Sequence, residues 1–384
     1  MTPQATTFLD EAEPGAATAP LLLHVFPSFA VGGAQVRFAA LANRFGPRWR
    51  HVVVAMDGRS DCAERLGDSV RFSTQGPPWK ASPGPVQRLA SITAMLRRLR
   101  PALLVTSNWG SIEWAIANRL TVRMPHLHME DGFGPEESSA QFGRRIMARR
   151  VALRQSNVLL PSLTLLRAAQ DIWKLPPERL HHIPNGIDLR SFRPDGPRGD
   201  LGLDGDAPVI GAVAALRREK NLGRLLRAAA ILLRDGVAFR LVLVGDGPER
   251  VGLEALAGEL GLSGVTRFAG HVPDPAAAYR AMDVVCLSSD TEQMPFSVLE
   301  GMATGLPVAT TEVGDVRAML SESNAPHVAA RTDADLAEAL RPLLRDAALR
   351  RRIGGANRAK AERDYDEEAM FQAHARLIWR SMNP

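Results

Sequence analysis

Short apolar runs alternate with amphipathic stretches along almost the whole chain. In the first half, runs near Leu21–Phe26, His51–Ala55, Leu103–Thr106, Pro125–His128 and Val158–Pro161 have strand length and few polar interruptions. That is the pattern of strands covered on both faces. Between them apolar residues recur at helical spacing, as over Ala34–Arg44 and Val86–Arg100. The second half repeats the rhythm, with strands expected near Val209–Ala214, Arg240–Val244, Val265–Phe268, Val284–Leu287 and Pro307–Thr310. A βαβα rhythm predicts parallel sheets with helices on both faces. The rhythm breaks between Leu189 and Pro208, where RSFRPDGPRGDLGLDGDAP is rich in Pro, Gly and Asp and has no apolar period.

This break divides the chain into a first domain over 21–190, a linker over 191–207 and a second domain over 208–364, followed by a helix over 365–382. A length of 384 residues suits two domains. Each doubly wound sheet binds ligands at the carboxyl ends of its strands, so two facing sheets make a cleft. Residues 1–20 are acidic and rich in Ala and Pro, with no basic start or apolar core, and read as a disordered leader rather than a signal peptide. No apolar run reaches the roughly 20 residues of a membrane span. Two cysteines, Cys62 and Cys286, build no disulfide framework and fit a reducing cytoplasm. The net charge of +5 favours anionic partners. Few aromatic residues and no helix-turn-helix, zinc or RNA-binding motif argue against nucleic acid.

The stretch with most chemical content is SSDTEQMPFSVLEGMATGLPVATTEVG, Ser288–Gly314. Pro295 suits a first helical turn, and Gly305 and Pro307 close the helix before the next strand. Backbone amides from Met294 through Phe296 and Ser297 to Val298 then face the strand ends, where they attract an anion or sugar hydroxyls. Glu292 precedes this helix and Glu300 lies within it. Read alone, the first is a helix cap and the second a surface residue.

The spacing E-x7-E followed by G-x-P-V resembles the signature of the retaining glycosyltransferases of family four, which have the GT-B fold. In that resemblance Glu292 lies beside the transferred sugar and its phosphate, and Glu300 holds the donor ribose. The likeness extends along the chain. VGDGPER, from Val244 through Gly245, resembles the turn beside the nucleotide. LRREKN, Leu216–Asn221, resembles the basic loop that grips the donor diphosphate, with Lys220 at the family lysine. The family often has Arg where this chain has Ala215, so Arg217 or Arg218 supplies the second charge. Fixed cations there stabilise the leaving diphosphate as its charge grows. FPSFAVGGAQ resembles the glycine loop of the first domain, with Gly32 near the acceptor, Gly33 near the diphosphate and Gln35 where the family has Glu. IPNGID ends that domain, with Asn185 facing the cleft, and RFAGHVPD, with His271 and Val272, resembles the loop that meets the donor base.

HLHMEDGFG places His126, His128 and Glu130 on one face of an extended segment. Zinc is disfavoured, because no H-E-x-x-H or cysteine partner accompanies them. By resemblance His128 is a cleft histidine near the transferred sugar. Glu130 and Asp131, which follow it, are expected to receive an acceptor hydroxyl. A basic amphipathic segment over 142–154, carrying Arg144, Arg145, Arg149, Arg150 and Arg154, suits either a solvated helix face or peripheral contact with an anionic membrane.

The resemblance implies two Rossmann-like domains facing across a cleft, with the final helix packing back on the first. It implies a retaining, metal-independent transfer without a cofactor, from a UDP- or GDP-sugar to a glycan or lipid-linked acceptor. Bacterial polysaccharide or lipid-linked glycan assembly is the expected setting, in the cytoplasm or peripheral to the inner membrane face. A nucleotide-sugar-binding scaffold and a nucleotide-sugar epimerase are the alternatives.

Overall fold

The computed structural model describes residues 19–79, 83–133, 137, 141–203, 205–272 and 274–383. Its first sheet contains β1 (Leu21–Phe26), β2 (Arg50–Ala55), β3 (Arg71–Gln75), β4 (Leu103–Ser107), β5 (His126–Met129), β6 (Asn157–Leu160) and β7 (Leu180–His182), in the order β3-β2-β1-β4-β5-β6-β7. The second contains β8 (Val209–Val213), β9 (Arg240–Val244), β10 (Thr266–Gly270), β11 (Val284–Leu287), β12 (Val308–Thr311) and β13 (Val328–Ala329), in the order β10-β9-β8-β11-β12-β13. Every pairing within the two sheets is parallel. The expected α/β class with two Rossmann-like sheets is therefore the observed one.

Three strands have no counterpart in the apolar pattern, and all three are sheet edges. β3 is the polar sequence RFSTQ, β7 has three residues and β13 two. An edge strand needs little burial, so it leaves little hydrophobic signal. The ten expected strands are the interior ones, plus β10, and they carry the buried rows. In β1, Leu22, Leu23 and Val25 are fully buried. In the second sheet Leu241, Val242 and Leu243 of β9 alternate between the two covered faces. Helix Leu222–Arg234 seals one face with Leu225, Leu226, Ala229 and Leu232, and helix Phe296–Ala303 seals the other with Val298, Leu299 and Met302. The strand order reverses beside β1 in one sheet and β8 in the other, which opens a crevice at the carboxyl end of each.

The chain crosses between the sheets earlier than its composition suggests. The described residues of the Pro- and Gly-rich segment 191–207, expected as a linker, pack on the second sheet. Leu201 is buried in that core, Phe192 packs edge-on against Tyr279 at 5.9 Å, and Arg280 Nε donates to the Pro197 carbonyl at 2.6 Å. The crossing is instead at Ile187, whose N–H donates to the Tyr365 carbonyl at 2.8 Å while Glu367 N–H donates back to Ile187 O at 3.3 Å. Gly186 must be glycine here, since a Cβ would lie 2.5 Å from Glu367 Cα. The returning strand opens helix Glu367–Met382, which inserts Met370, Phe371, Ala375 and Ile378 against Leu22, Leu103 and Leu127 of the first sheet. Of the expected leader, 1–18 lie outside the described residues. Ala19 and Pro20 belong to the fold: Ala19 is buried and the Pro20 carbonyl accepts from Arg50 N–H at 2.9 Å.

Glu367 sits at the double crossing. Burial, with Asp188 adding repulsion, pushes its carboxyl up to about 7. The folded state therefore holds a proton there that the unfolded chain releases at lower pH, so this group's contribution to stability falls as pH rises toward 7. Glu367→Gln is expected to raise the melting temperature at pH 8 and to leave it nearly unchanged at pH 4. Thermal unfolding at the two pH values checks this.

Candidate functional site

Two loops of the second domain build the charged half of the site. β11 ends at Leu287, and the chain reverses through Ser288–Met294 into helix Phe296–Ala303. Pro295, in extended conformation, precedes that helix and leaves the first helical amides without intrahelical partners. The loop is held from beneath by Gly314, at φ 49°, where a Cβ would lie 2.3 Å from the Glu292 carbonyl oxygen. Asp315 N–H donates to the Gln293 carbonyl at 2.9 Å. These contacts fix the backbone that carries Glu292. Its Oε1 accepts from Lys220 Nζ at 2.6 Å and from Ser289 Oγ at 2.8 Å. Lys220 comes from the short turn Arg218–Lys220 after β8, whose carbonyls at Glu219 and Lys220 accept from Asp290 N–H and Ser288 Oγ. The basic and acidic loops are thus one stitched unit. Glu292 is 11% exposed and Lys220 26%, and both line the cleft between the domains.

The first domain supplies the opposing wall. Gly32 and Gly33 lead into helix Gly33–Phe45, and a Cβ on Gly33 would stand 3.2 Å from the Phe296 ring. Asp131 follows β5. Its Oδ1 pairs with Arg37 Nη1 at 2.6 Å and its N–H donates to Asn108 Oδ1 at 2.7 Å. The other carboxylate oxygen, Oδ2, has no hydrogen-bond partner among the described residues. Asn185 joins the walls: it accepts from Arg37 at 2.7 Å and donates to the Met294 carbonyl at 3.0 Å. Between the walls lies a cleft of about 720 Å³, in the size range of small-molecule sites.

The cleft gathers Gly32, Gly33, Asp131, Arg217, Lys220, Glu292, Met294, Pro295, Phe296 and Ser297 from the sequence-based expectations. Ala215 lines it too, and Arg217 rather than Arg218 stands beside it. Other expected residues fall outside this space. Gly245 packs against the Ala214 carbonyl, His271 is exposed, Val272 packs on the second core and Val298 is fully buried. Glu300 accepts from the Tyr279 hydroxyl at 2.7 Å, and burial pushes its carboxyl up, against the effect of that bond.

His128 and Glu130 require correction as cleft residues. Both are fully buried inside the first domain. His128 Nδ1 shares Thr106 Oγ1 with His126 Nε2, each at 2.8 Å, and its Nε2 lies 3.3 Å from Glu130 Oε2. Burial pushes the Glu130 carboxyl up, but the His128 bond and the Arg149 charge outweigh it and hold the group below its usual range. Arg149 Nε donates to Glu130 at 3.0 Å, and its guanidinium lies over Trp173, Trp109 and Phe133 at 4.9, 5.2 and 5.5 Å. Arg149 therefore belongs to the core, not to the outer face of the basic segment. Among the described residues no group of three His, Cys, Asp or Glu side chains is placed to hold a metal.

Sequence reasoning missed Asn108, Trp109, Phe133 and Arg145, which also line the cleft, and Asp315, which links the two domains. Asp315 accepts from Thr164 N–H at 3.0 Å and Thr164 Oγ1 at 2.6 Å, so a second-domain carboxylate caps helix Leu163–Asp171 of the first. Asn108, at φ 58° directly after β4, was findable as a small polar residue at a strand's carboxyl end. The others depend on tertiary placement.

Two family models match. Glycosyltransferase Family 4 spans 31–191 and Glycosyl transferases group 1 spans 197–360. The D-inositol 3-phosphate glycosyltransferase of Nocardia farcinica is 27% identical over 70% of this chain and 65% of its own length. That of Frankia alni is 31% identical over 66% and 64%. The match thus spans under two thirds of these relatives. Among solved structures, Anabaena HepE in complex with UDP and glucose superposes with a TM-score of 0.78 at 19% identity, covering 94% of this chain and all (100%) of that one. Sucrose-phosphate synthase from Thermosynechococcus elongatus gives 0.77 at 20% identity, over 94% and 98%. These likenesses establish the two-domain fold.

Glu130→Ala is expected to cost about 3–5 kcal/mol of stability, the loss typical when one member of a buried ion pair is removed. Urea unfolding measures it, and an unchanged midpoint would place Glu130 outside the core network.

Proposed function

The chain belongs to the group 1 glycosyl transferases of glycosyltransferase family 4, and we propose that it transfers a sugar from a nucleoside-diphosphate sugar to an acceptor hydroxyl. One observation carries this reading: Lys220, Glu292 and the amino end of helix Phe296–Ala303 converge on one cleft, opposite Gly32 and Gly33. A cation, a helix end and a glycine turn suit a diphosphate, and a carboxylate beside them suits sugar hydroxyls. A UDP-sugar is the donor this reading favours, since the neighbouring HepE structure is described with UDP and glucose.

In the proposed transfer the bond between the anomeric carbon and the phosphate oxygen breaks as the acceptor oxygen attacks from the same face. The acceptor proton passes to the departing phosphate, and the configuration is retained. Lys220 neutralises the growing charge on the diphosphate, with Arg217 beside it in the place left by Ala215. Lys220 now spends its charge on Glu292; an arriving diphosphate competes for it and frees the Glu292 carboxylate to orient the sugar. Cationic side chains and helix amides take the role that a metal has in other transferases. Asp131 lines the cleft from the first domain and suits an acceptor hydroxyl. Gly33 and Phe296 approach closely enough that a Cβ on Gly33 would lie 3.2 Å from the ring, and a bound donor between the domains would limit the access of water to the reacting centre.

A glycan or lipid-linked acceptor fits the first domain's surface. Helix Gly143–Leu153 turns Met147 and Val151 outward, and Phe142 ahead of it is also exposed. With Arg144 and Arg154 on the same exposed side, this is the composition of a face that rests on an anionic membrane from the cytoplasm. No helix among the described residues is long and apolar enough to cross a membrane.

Lys220→Ala and Glu292→Gln should each lower sugar transfer by about 10²–10³-fold, the usual cost of removing one charge-stabilising group, with thermal unfolding little changed. The assay is turnover of a panel of nucleotide sugars, with and without acceptor. Near-normal turnover in both variants would remove the pair from the reaction. Donor that binds without turnover in the parent chain would favour a binding scaffold, and interconversion of donor sugars an epimerase.

A further inference from the structure

The first sheet is open at both ends. Its carboxyl ends form the cleft, while the amino ends of β5, β6 and β7 surround a separate cavity of about 240 Å³. Arg119, Arg123 and Arg179 line it, with Gln155, Asn157 and Ser381 between them. No Asp or Glu among the described residues lines it. None of the three guanidinium groups makes an ion pair with a described residue, although the chain elsewhere pairs its arginines freely. The Nη1 of Arg119 is out of solvent and has no hydrogen-bond acceptor among the described residues.

The local backbone is unusual where two of these arginines arise. Helix Ile112–Ala117 loosens into a π-helical turn over Asn118–Val122, a form frequent at functional positions. The turn ends on Arg123 at φ 59°, ψ 38°, a left-handed conformation that an arginine seldom adopts. Asn118 locks the turn, exchanging two bonds of 2.9 Å with Met124 through its side chain. The floor is equally built. Asn157 Nδ2 donates to Ser381 Oγ at 2.9 Å, and Asn157 Oδ1 lies 3.1 Å from His181 Nε2. His126, on the cavity wall, has one ring nitrogen 2.8 Å from Thr106 and the other 2.7 Å from Ser156. Burial, with His128 adding repulsion, lowers it to about 3, so it stays neutral. The positive field of the cavity is therefore that of the arginines.

We propose that this cavity binds a phosphate group, free or on a small phosphorylated molecule or an anionic lipid headgroup, through Arg119, Arg123 and Arg179. Three planar donors lining one cavity, with no described carboxylate among them, match tetrahedral phosphate oxygens, and the guanidinium fork is the side chain suited to them. The site lies at the opposite end of the sheet from the cleft, so it is a second anion site rather than an arm of the first.

The test uses the full chain carrying Lys220→Ala, which weakens anion binding in the cleft. Calorimetric titration with pyrophosphate and inorganic phosphate, and pelleting with phosphatidylcholine vesicles with and without phosphatidic acid, are compared before and after adding Arg119→Ala and Arg123→Ala. We expect at least a tenfold loss of binding in one or both assays. Loss in the titration alone assigns a soluble phosphate, and loss in pelleting alone assigns a lipid headgroup. Arg119→Gln with Arg123→Gln, which retains side-chain bulk, should show the same loss with an unchanged near-ultraviolet circular dichroism spectrum. Binding that is absent throughout, or that is unaffected by the arginine substitutions, overturns the proposal.

Discussion

A lysine and a glutamate 2.6 Å apart set the terms on which the cleft is built. Neither side chain is local to the other: they come from loops after β8 and β11, strands that are neighbours in space. Parallel pairing of those strands brings both loops to one sheet end. Ser288 and Asp290 then bond the lysine's turn, and Gly314 lets the glutamate's loop pass over the next one without a side chain in the way. A charge pair in water would be worth little. Here its value is positional, because two oppositely charged groups are held in register before any ligand arrives.

The opposing domain meets this unit through a few polar contacts rather than a broad apolar seam. Asn185 bridges Arg37 to the Met294 carbonyl, and Asp315 caps a helix across the gap. Such contacts are individually weak, since most are exchanged with water when broken. The domains touch through interactions that water can replace.

Much of this was legible in the amino-acid sequence, and the failures have physical causes. Interior strands such as Leu21–Phe26 carry continuous apolar rows, whereas the edges β3, β7 and β13 do not. The segment Ser288–Gly314 announced a loop and helix start because proline and glycine have local effects. His128 shows the limit. Alternation correctly put it on one face with His126, and the two share Thr106. It could not say that Arg149, from a later helix, would cover that face and bring the countercharge for Glu130. The same blindness made Arg149 look like a surface cation. Composition also misled at 191–207, because Pro and Gly record the absence of regular structure, not the absence of packing.

The chain passes between its two halves twice, and the two passages touch, with Ile187 bridged to Asp366. Two separated tethers would allow sliding as well as tilting. Tethers clasped at one point leave mainly rotation about an axis through that point. The mouth of the molecule can then gape by a wide arc for a small change in backbone angles near Gly186, while the sheets themselves stay rigid. Leverage of this kind lets a binding event at the rim be felt at the clasp, and makes the clasp a place where minor chemical changes alter how far the halves open.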